Sequence, residues 1–298
     1  MLLLCACFLP LLALLAWGPG HHLEFAERVW RRRREWLSAD RAKVLSSERN
    51  AYLYGNLAAD IINMKAYGGH HNHCHRWTIV DEMREHADTA QEEAFVLGYL
   101  SHLAADTIAH NHFVPFHLTR YARARGLGHL YWEMSADRFI AESRWDLVTR
   151  LKDEPGLSEL DELVNATVPK KLLSMRTNKL LFNHVLLISE RKSWRRGVNA
   201  LHPREKVALK RGFLSTFQKA ATERVRLALS ARNLEALAHI DTTGKAAQKR
   251  AMQLRKQLVT RYPAGPERDA AAQEHAREFL VGMQSPPPRN GSLTPYWN

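Results

Sequence analysis

Apolar residues recur every three or four positions along most of the chain, while the strict alternation that makes half-buried strands is scarce. The pattern predicts an all-α protein. Met1–Ala16 is apolar throughout. LEFAERVWRRRREW, after a Gly/Pro turn at Trp17–Gly20, is a first amphipathic helix, and a second runs from near Ser47 to Met64. The most sharply bounded element is a helix over about 89–113: Thr89 with Glu92 three residues later reads as a capping box, and Pro115 reads as a stop. GHLYWEMSADRFIAESRWDL continues the helical period, and Lys152–Glu159 (KDEPGLSE) reads as a linker. Beyond it, helices are expected near 160–172, 176–193, 204–231 and 242–261, with a disordered tail over 284–298. These breaks divide the chain into a leader (1–16), a core (17–150), a helical region packed on that core (151–283) and the tail.

Polar residues that interrupt apolar faces carry the candidate chemistry. AFVLGYLSHLAADTIAHNHFVP, from Ala94 to Pro115, holds His102, Asp106 and His110 at four-residue intervals. Each interval turns a helix by about 40° from the previous position, so the three side chains share one face. Ionisable groups there are costly to bury unless they pair or bind an ion. His112 falls off that face if the helix continues, but a break after Ile108 would bring it in, which makes it the rival of His110. Asp60 sits among apolar neighbours in YGNLAADII, HHNHCHRW places histidines at 70, 71, 73 and 75, and His129 and Glu133 form another i,i+4 pair. Phe95, Tyr99 and Phe113 lie near the His/Asp face, where aromatics either stack on bases or line an apolar pocket.

Charge adds an asymmetry. The formal net charge is +12, from 43 Lys and Arg against 31 Asp and Glu, and the first 150 residues hold equal numbers of each sign. The excess therefore lies in the second half and suits an anionic partner, a phosphate-bearing membrane or a nucleic acid. The leader has the length and apolar character of a signal peptide, with cleavage after Ala16 making Trp17 the mature N-terminus. That cleavage would remove Cys5 and Cys7 and leave Cys74 alone, so no disulfide framework is expected.

Taken in order, these features resemble the zinc-dependent phospholipase C family: a Trp after the leader, an early His, a buried Asp, His75 before Arg76-Trp77, the His-x-x-x-Asp-x-x-x-His helix, and His-x-x-x-Glu. The resemblance spans Trp17 to about Asp146, and its use of His110 is similar to the glycosyl-phosphatidylinositol phospholipase D branch. It implies about three zinc ions per chain. Trp17, through its free amine and carbonyl, and His22 (His21 being the alternative) would serve one zinc, with Asp106 bridging. Asp60, His75, His102 and Asp106 would serve the second, and His110, His129 and Glu133 the third. Asp60 would also orient or deprotonate the attacking water. The implied activity is phosphodiester hydrolysis by zinc-activated water on phospholipid, in a secreted or periplasmic monomer whose basic half meets the membrane. Single-strand nucleases share this fold and the start Trp17-Gly18 to His22, so a nucleic acid is the lesser alternative substrate. A non-catalytic, metal-stabilised membrane-binding module is a further alternative.

Overall fold

The computed structural model of the chain describes residues 17–61, 74–122, 128–168, 177, 209–230 and 235–284. The leader, His70, His71 and His73, nearly all of the helix expected near 176–193, and the tail beyond Gln284 lie outside the described residues. The protein is all-α, with no strand among those residues. Among the described residues the α-helices of seven residues or more are α1 (Pro19–Arg31), α2 (Ala39–Ser47), α3 (Arg49–Ile61), α4 (Trp77–Glu85), α5 (Ala90–Ile108), α6 (Val114–Arg120), α7 (His129–Asp137), α8 (Glu142–Lys152), α9 (Asp161–Thr167), α10 (Arg211–Ser230), α11 (Lys245–Arg261) and α12 (Pro266–Ala276).

The central helix is α5. Glu92 N donates to Thr89 Oγ1 at 3.2 Å and Thr89 N donates to Glu92 Oε2 at 2.9 Å, which closes the capping box. From Ala94 to Ile108 every residue of α5 is buried. A helix apolar on all sides must be surrounded, and here α3, α10 and α4 pack around it. The approach of α3 is set by a pair of glycines. A Cβ on Gly55 would stand 2.1 Å from Phe95 O, and one on Gly98 would stand 2.1 Å from Tyr52 O, so the two backbones touch directly.

Pro115 does not stop the helix. A single π-helical turn, Ala109–Phe113, follows α5, and Val114 N bonds back five residues to Ala109 O. Pro115 then falls in the first turn of α6, where its missing N–H is not needed, and the chain stays helical to Arg120. Residues 155–160 are not a free linker either. They form a 3₁₀ turn whose Leu157 and Leu160 enter the core. One apolar core extends from Trp17 to Met283, so the C-terminal helices complete the same hydrophobic interior. α12 is absent from the sequence expectation because its only buried residues are Ala272 and Ala276, which leave almost no apolar period to read.

Candidate metal centre

The Gly55–Gly98 contact brings Asp60, in the last turn of α3, beside His102 and Asp106 on α5. One turn beyond the crossing, His102 Nδ1 lies 2.9 Å from Asn56 O. A carbonyl only accepts, so Nδ1 carries the proton and Nε2 presents a lone pair to the interior. His75, just before α4, is held by its neighbour: Tyr99 donates its hydroxyl proton to Cys74 O at 2.7 Å. His75 Nε2 stands 3.0 Å from His102 Nε2. Asp106 Oδ2 lies 3.2 Å from each of those nitrogens, and Asp60 Oδ1 lies 3.7 Å from each. Donors bound at about 2.0–2.1 Å around a tetrahedral zinc are separated by about 3.3 Å. Five of the six edges of such a tetrahedron therefore cluster around the expected length.

Asp106 divides its two oxygens. Oδ2 faces His75 and His102, while Oδ1 faces His22 Nε2 at 3.4 Å, as a carboxylate bridging two cations would. His22 comes from α1, is 1% exposed, and neither of its ring nitrogens makes a well-formed hydrogen bond. Burial, reinforced by the neighbouring His102, lowers its pKa and keeps it neutral, the state a metal ligand requires. Burial alone would raise the pKa of Asp106, but the surrounding imidazoles of His102, His22 and His75 hold it well below the usual carboxylate range. His21 points elsewhere. Its Nδ1 lies 2.8 Å from Asp137 Oδ1, and its Nε2 faces the Gln218 amide at 3.1 Å.

A third group lies alongside. His110 Nε2 is 3.8 Å from Asp106 Oδ2, and on α7 His129 Nε2 meets Glu133 Oε1 at 2.6 Å. The His110 and His129 rings are 5.3 Å apart, so His110 stands more loosely beside the tight His129–Glu133 pair. Burial pushes the Glu133 carboxyl up to about 7, and neither of its oxygens has a well-formed hydrogen bond. A nearby cation would keep it ionised. His112 turns away from the cluster, with Nδ1 donating to Phe279 O at 2.7 Å. The Trp17 indole is fully buried, stacks on Phe113 at 4.9 Å and donates to Ala105 O at 3.2 Å. Phe95, Tyr99 and Phe113 are fully buried in the core, which corrects the expectation that they line a pocket. Residues 240–248 also reach the site: Thr242 Oγ1 donates to His75 O, and the Gln248 side chain sits between His110 and His129. Nothing in the sequence singled out Gln248, one of three glutamines in a basic helix.

The donors fit zinc. They are imidazoles and carboxylates, several lack conventional partners, and the thiol of Cys74 lies on the far side of His75, 3.2 Å from Nδ1. Two donor groups, His22–His102–Asp106 and Asp60–His75–His102, each have their ligand atoms within 4.8 Å of one another. No curated protein and no solved structure matches the chain. A family model described as zinc dependent phospholipase C matches residues 21–184, more than half of the chain and the part that supplies His22, Asp60, His75, His102, Asp106, His110, His129 and Glu133. An all-α fold, a buried imidazole–carboxylate cluster and that match agree: the chain belongs to the zinc-dependent phospholipase C family.

Proposed function

We propose that this protein is a zinc-dependent phospholipase C that hydrolyses the phosphodiester between glycerol and head group. About three zinc ions would be held by Trp17, His22, Asp60, His75, His102, Asp106, His110, His129 and Glu133. The observation that carries this reading is the near-tetrahedral spacing of Asp60, His75, His102 and Asp106, with the second Asp106 oxygen turned to His22. Bound zinc supplies Lewis-acid activation of water and of the phosphoryl oxygens. Asp60 would orient that water and accept its proton: its oxygens face His75, His102 and His22 at 3.7–3.9 Å, a looser approach than that of Asp106, which bridges the same histidines at 3.2–3.4 Å. His22, kept neutral by burial, and Asp106, kept ionised by its neighbours, hold the cluster together across α1 and α5.

The basic C-terminal half supplies the membrane contact. α11 alone carries Lys245, Lys249, Arg250, Arg255, Lys256 and Arg261 and no acidic residue. Cleavage after Ala16 would deliver a secreted or periplasmic monomer starting at Trp17, whose free amine could then serve as a ligand. Among the described residues, no helix is long and apolar enough to cross a membrane. The test is to assay diacylglycerol release from phospholipid vesicles and cleavage of single-stranded DNA on one zinc-loaded preparation. Diacylglycerol release that chelation abolishes supports the proposal. DNA cleavage alone assigns the nuclease activity, and zinc-dependent vesicle binding without either product assigns a non-catalytic module.

A further inference from the structure

The family match ends at residue 184, yet the segment Ile240–Gln248 touches three of the proposed ligands. Asp241 folds this segment tightly. Its Oδ1 accepts from Thr243 N at 2.8 Å and Thr243 Oγ1 at 2.7 Å, and its Oδ2 accepts from Lys245 N at 2.8 Å. Gly244 has φ 58°, and a Cβ there would stand 2.3 Å from His110 O, so the start of α11 lies directly against the His110 backbone. Asn111 ties the same place together, its Nδ2 donating to Asp241 O at 2.7 Å.

From this anchored start, Gln248 extends between two rings on different helices. Its Nε2 donates to Thr243 O at 2.9 Å, which fixes which end of the amide is nitrogen. Its Oε1 therefore faces His129 Nδ1, at 3.0 Å, and can only accept. His129 must carry its proton on Nδ1, leaving Nε2 as a lone pair toward Glu133. The Gln248 nitrogen also contacts His110 Nδ1 at 3.1 Å, but there it can only donate, so this contact does not supply the acceptor that a His110 ligating through Nε2 needs for its Nδ1–H. We propose that Gln248 is a positioning residue of the third group, fixing the Nδ1–H tautomer and orientation of His129 so that its Nε2 is presented, beside Glu133, to a zinc. This role rests on the zinc reading above. It gives the C-terminal half a task that basic charge does not explain, because α11 closes the ligand set from outside the matched segment.

The experiment measures zinc stoichiometry and stepwise affinity by chelator competition on the full chain, for the wild type, Gln248→Ala and Gln248→Glu. Removing the hydrogen-bond partner of a metal-ligating histidine typically costs about 10–100-fold in affinity. Gln248→Ala should lose that much at one zinc only, with the others unchanged. A carboxylate can accept from His129 Nδ1 as the amide oxygen does, so Gln248→Glu should recover most of the lost affinity, which a purely packing role for the side chain would not produce. Wild-type affinity at every zinc in Gln248→Ala overturns the proposal, as does a Glu variant as weak as the Ala variant. If the wild type itself binds no zinc, the metal reading falls and takes this role with it, an outcome visible before any variant is made.

Discussion

Replacing Gly98 with alanine tests whether one helix crossing assembles the centre. The added methyl would stand 2.1 Å from Tyr52 O, and the neighbouring contact is Gly55 Cα at 2.9 Å, so neither obstacle is a side chain that can rotate away. Restoring ordinary contact requires α3 and α5 to part by about 1.3 Å, and a gap of that size forfeits a quarter to a half or more of each dispersion contact across it. Overpacking of this kind costs about 1–3 kcal/mol. The 2.9 Å hydrogen bond from His102 Nδ1 to Asn56 O lies one turn away and would stretch beyond bonding distance, exposing a further cost of about 1–3 kcal/mol. Alanine returns about 1 kcal/mol of helix propensity. The net loss is about 1–5 kcal/mol, a fall of roughly 2–20 °C in unfolding midpoint for a domain this size. Because Asp60 and His102 lie on opposite sides of the crossing, zinc affinity should fall along with stability. Gly156→Ala, at a position with no atom within 4 Å of the new methyl, is the control and should be silent. Thermal unfolding and zinc titration of both variants decide the matter. A Gly98→Ala protein that melts at the wild-type temperature and binds zinc normally would refute the argument that this contact positions the ligands.

Other outcomes follow from the same geometry. His110→Ala should lose one zinc by elemental analysis, whereas His112→Ala should keep the full complement and lose about 1–3 kcal/mol of stability, because Phe279 O loses its buried donor; the opposite ranking would place His112 in the centre. Extensive dialysis should leave about three zinc ions per chain, and their removal by chelation should lower the unfolding midpoint, since each site at a free zinc concentration of 100 times its Kd contributes about 2.7 kcal/mol. A dialysed protein without zinc contradicts this. His117, which is not among the proposed ligands, is pushed down to about 3 by burial, against 6.5 for an ordinary histidine. The unfolded chain therefore binds the extra proton between those values, so the contribution of neutral His117 is complete above pH 6.5 and is lost as pH falls toward 3, at about 1.4 kcal/mol per pH unit. In the zinc-free protein, His117→Phe should remove that slope, and the stability gap between wild type and variant measured in urea should change by about 2–3 kcal/mol from pH 6.5 to 4.5; parallel profiles would contradict the burial argument.

Much of this protein is determined locally, and so it is legible in the sequence. The helical period fixes the all-α class, Thr89 and Glu92 set the start of α5 through a cap that needs no tertiary partner, and the four-residue spacing of His102, Asp106 and His110 places them on one side of that helix. Asp60 stands out because an ionisable group in apolar surroundings needs a reason to be there. What the sequence could not decide depends on contacts between distant segments. Pro115 reads as a stop until the π turn shifts the hydrogen-bond register and makes it the start of another helix, with Asn111 bonded across to Asp241 O. His21 and His22 are adjacent and alike in sequence, and only the facing residues, Asp137 and Gln218 for one and Asp60 and Asp106 for the other, distinguish them. The Gly55–Gly98 crossing and the reach of Gln248 to His129, 119 positions away, leave no periodic signal, because a backbone contact or a single amide contributes nothing to hydrophobic spacing. Local rules placed the donors on their helices; the packing of α3 and α11 against α5 and its π turn decided which of them meet.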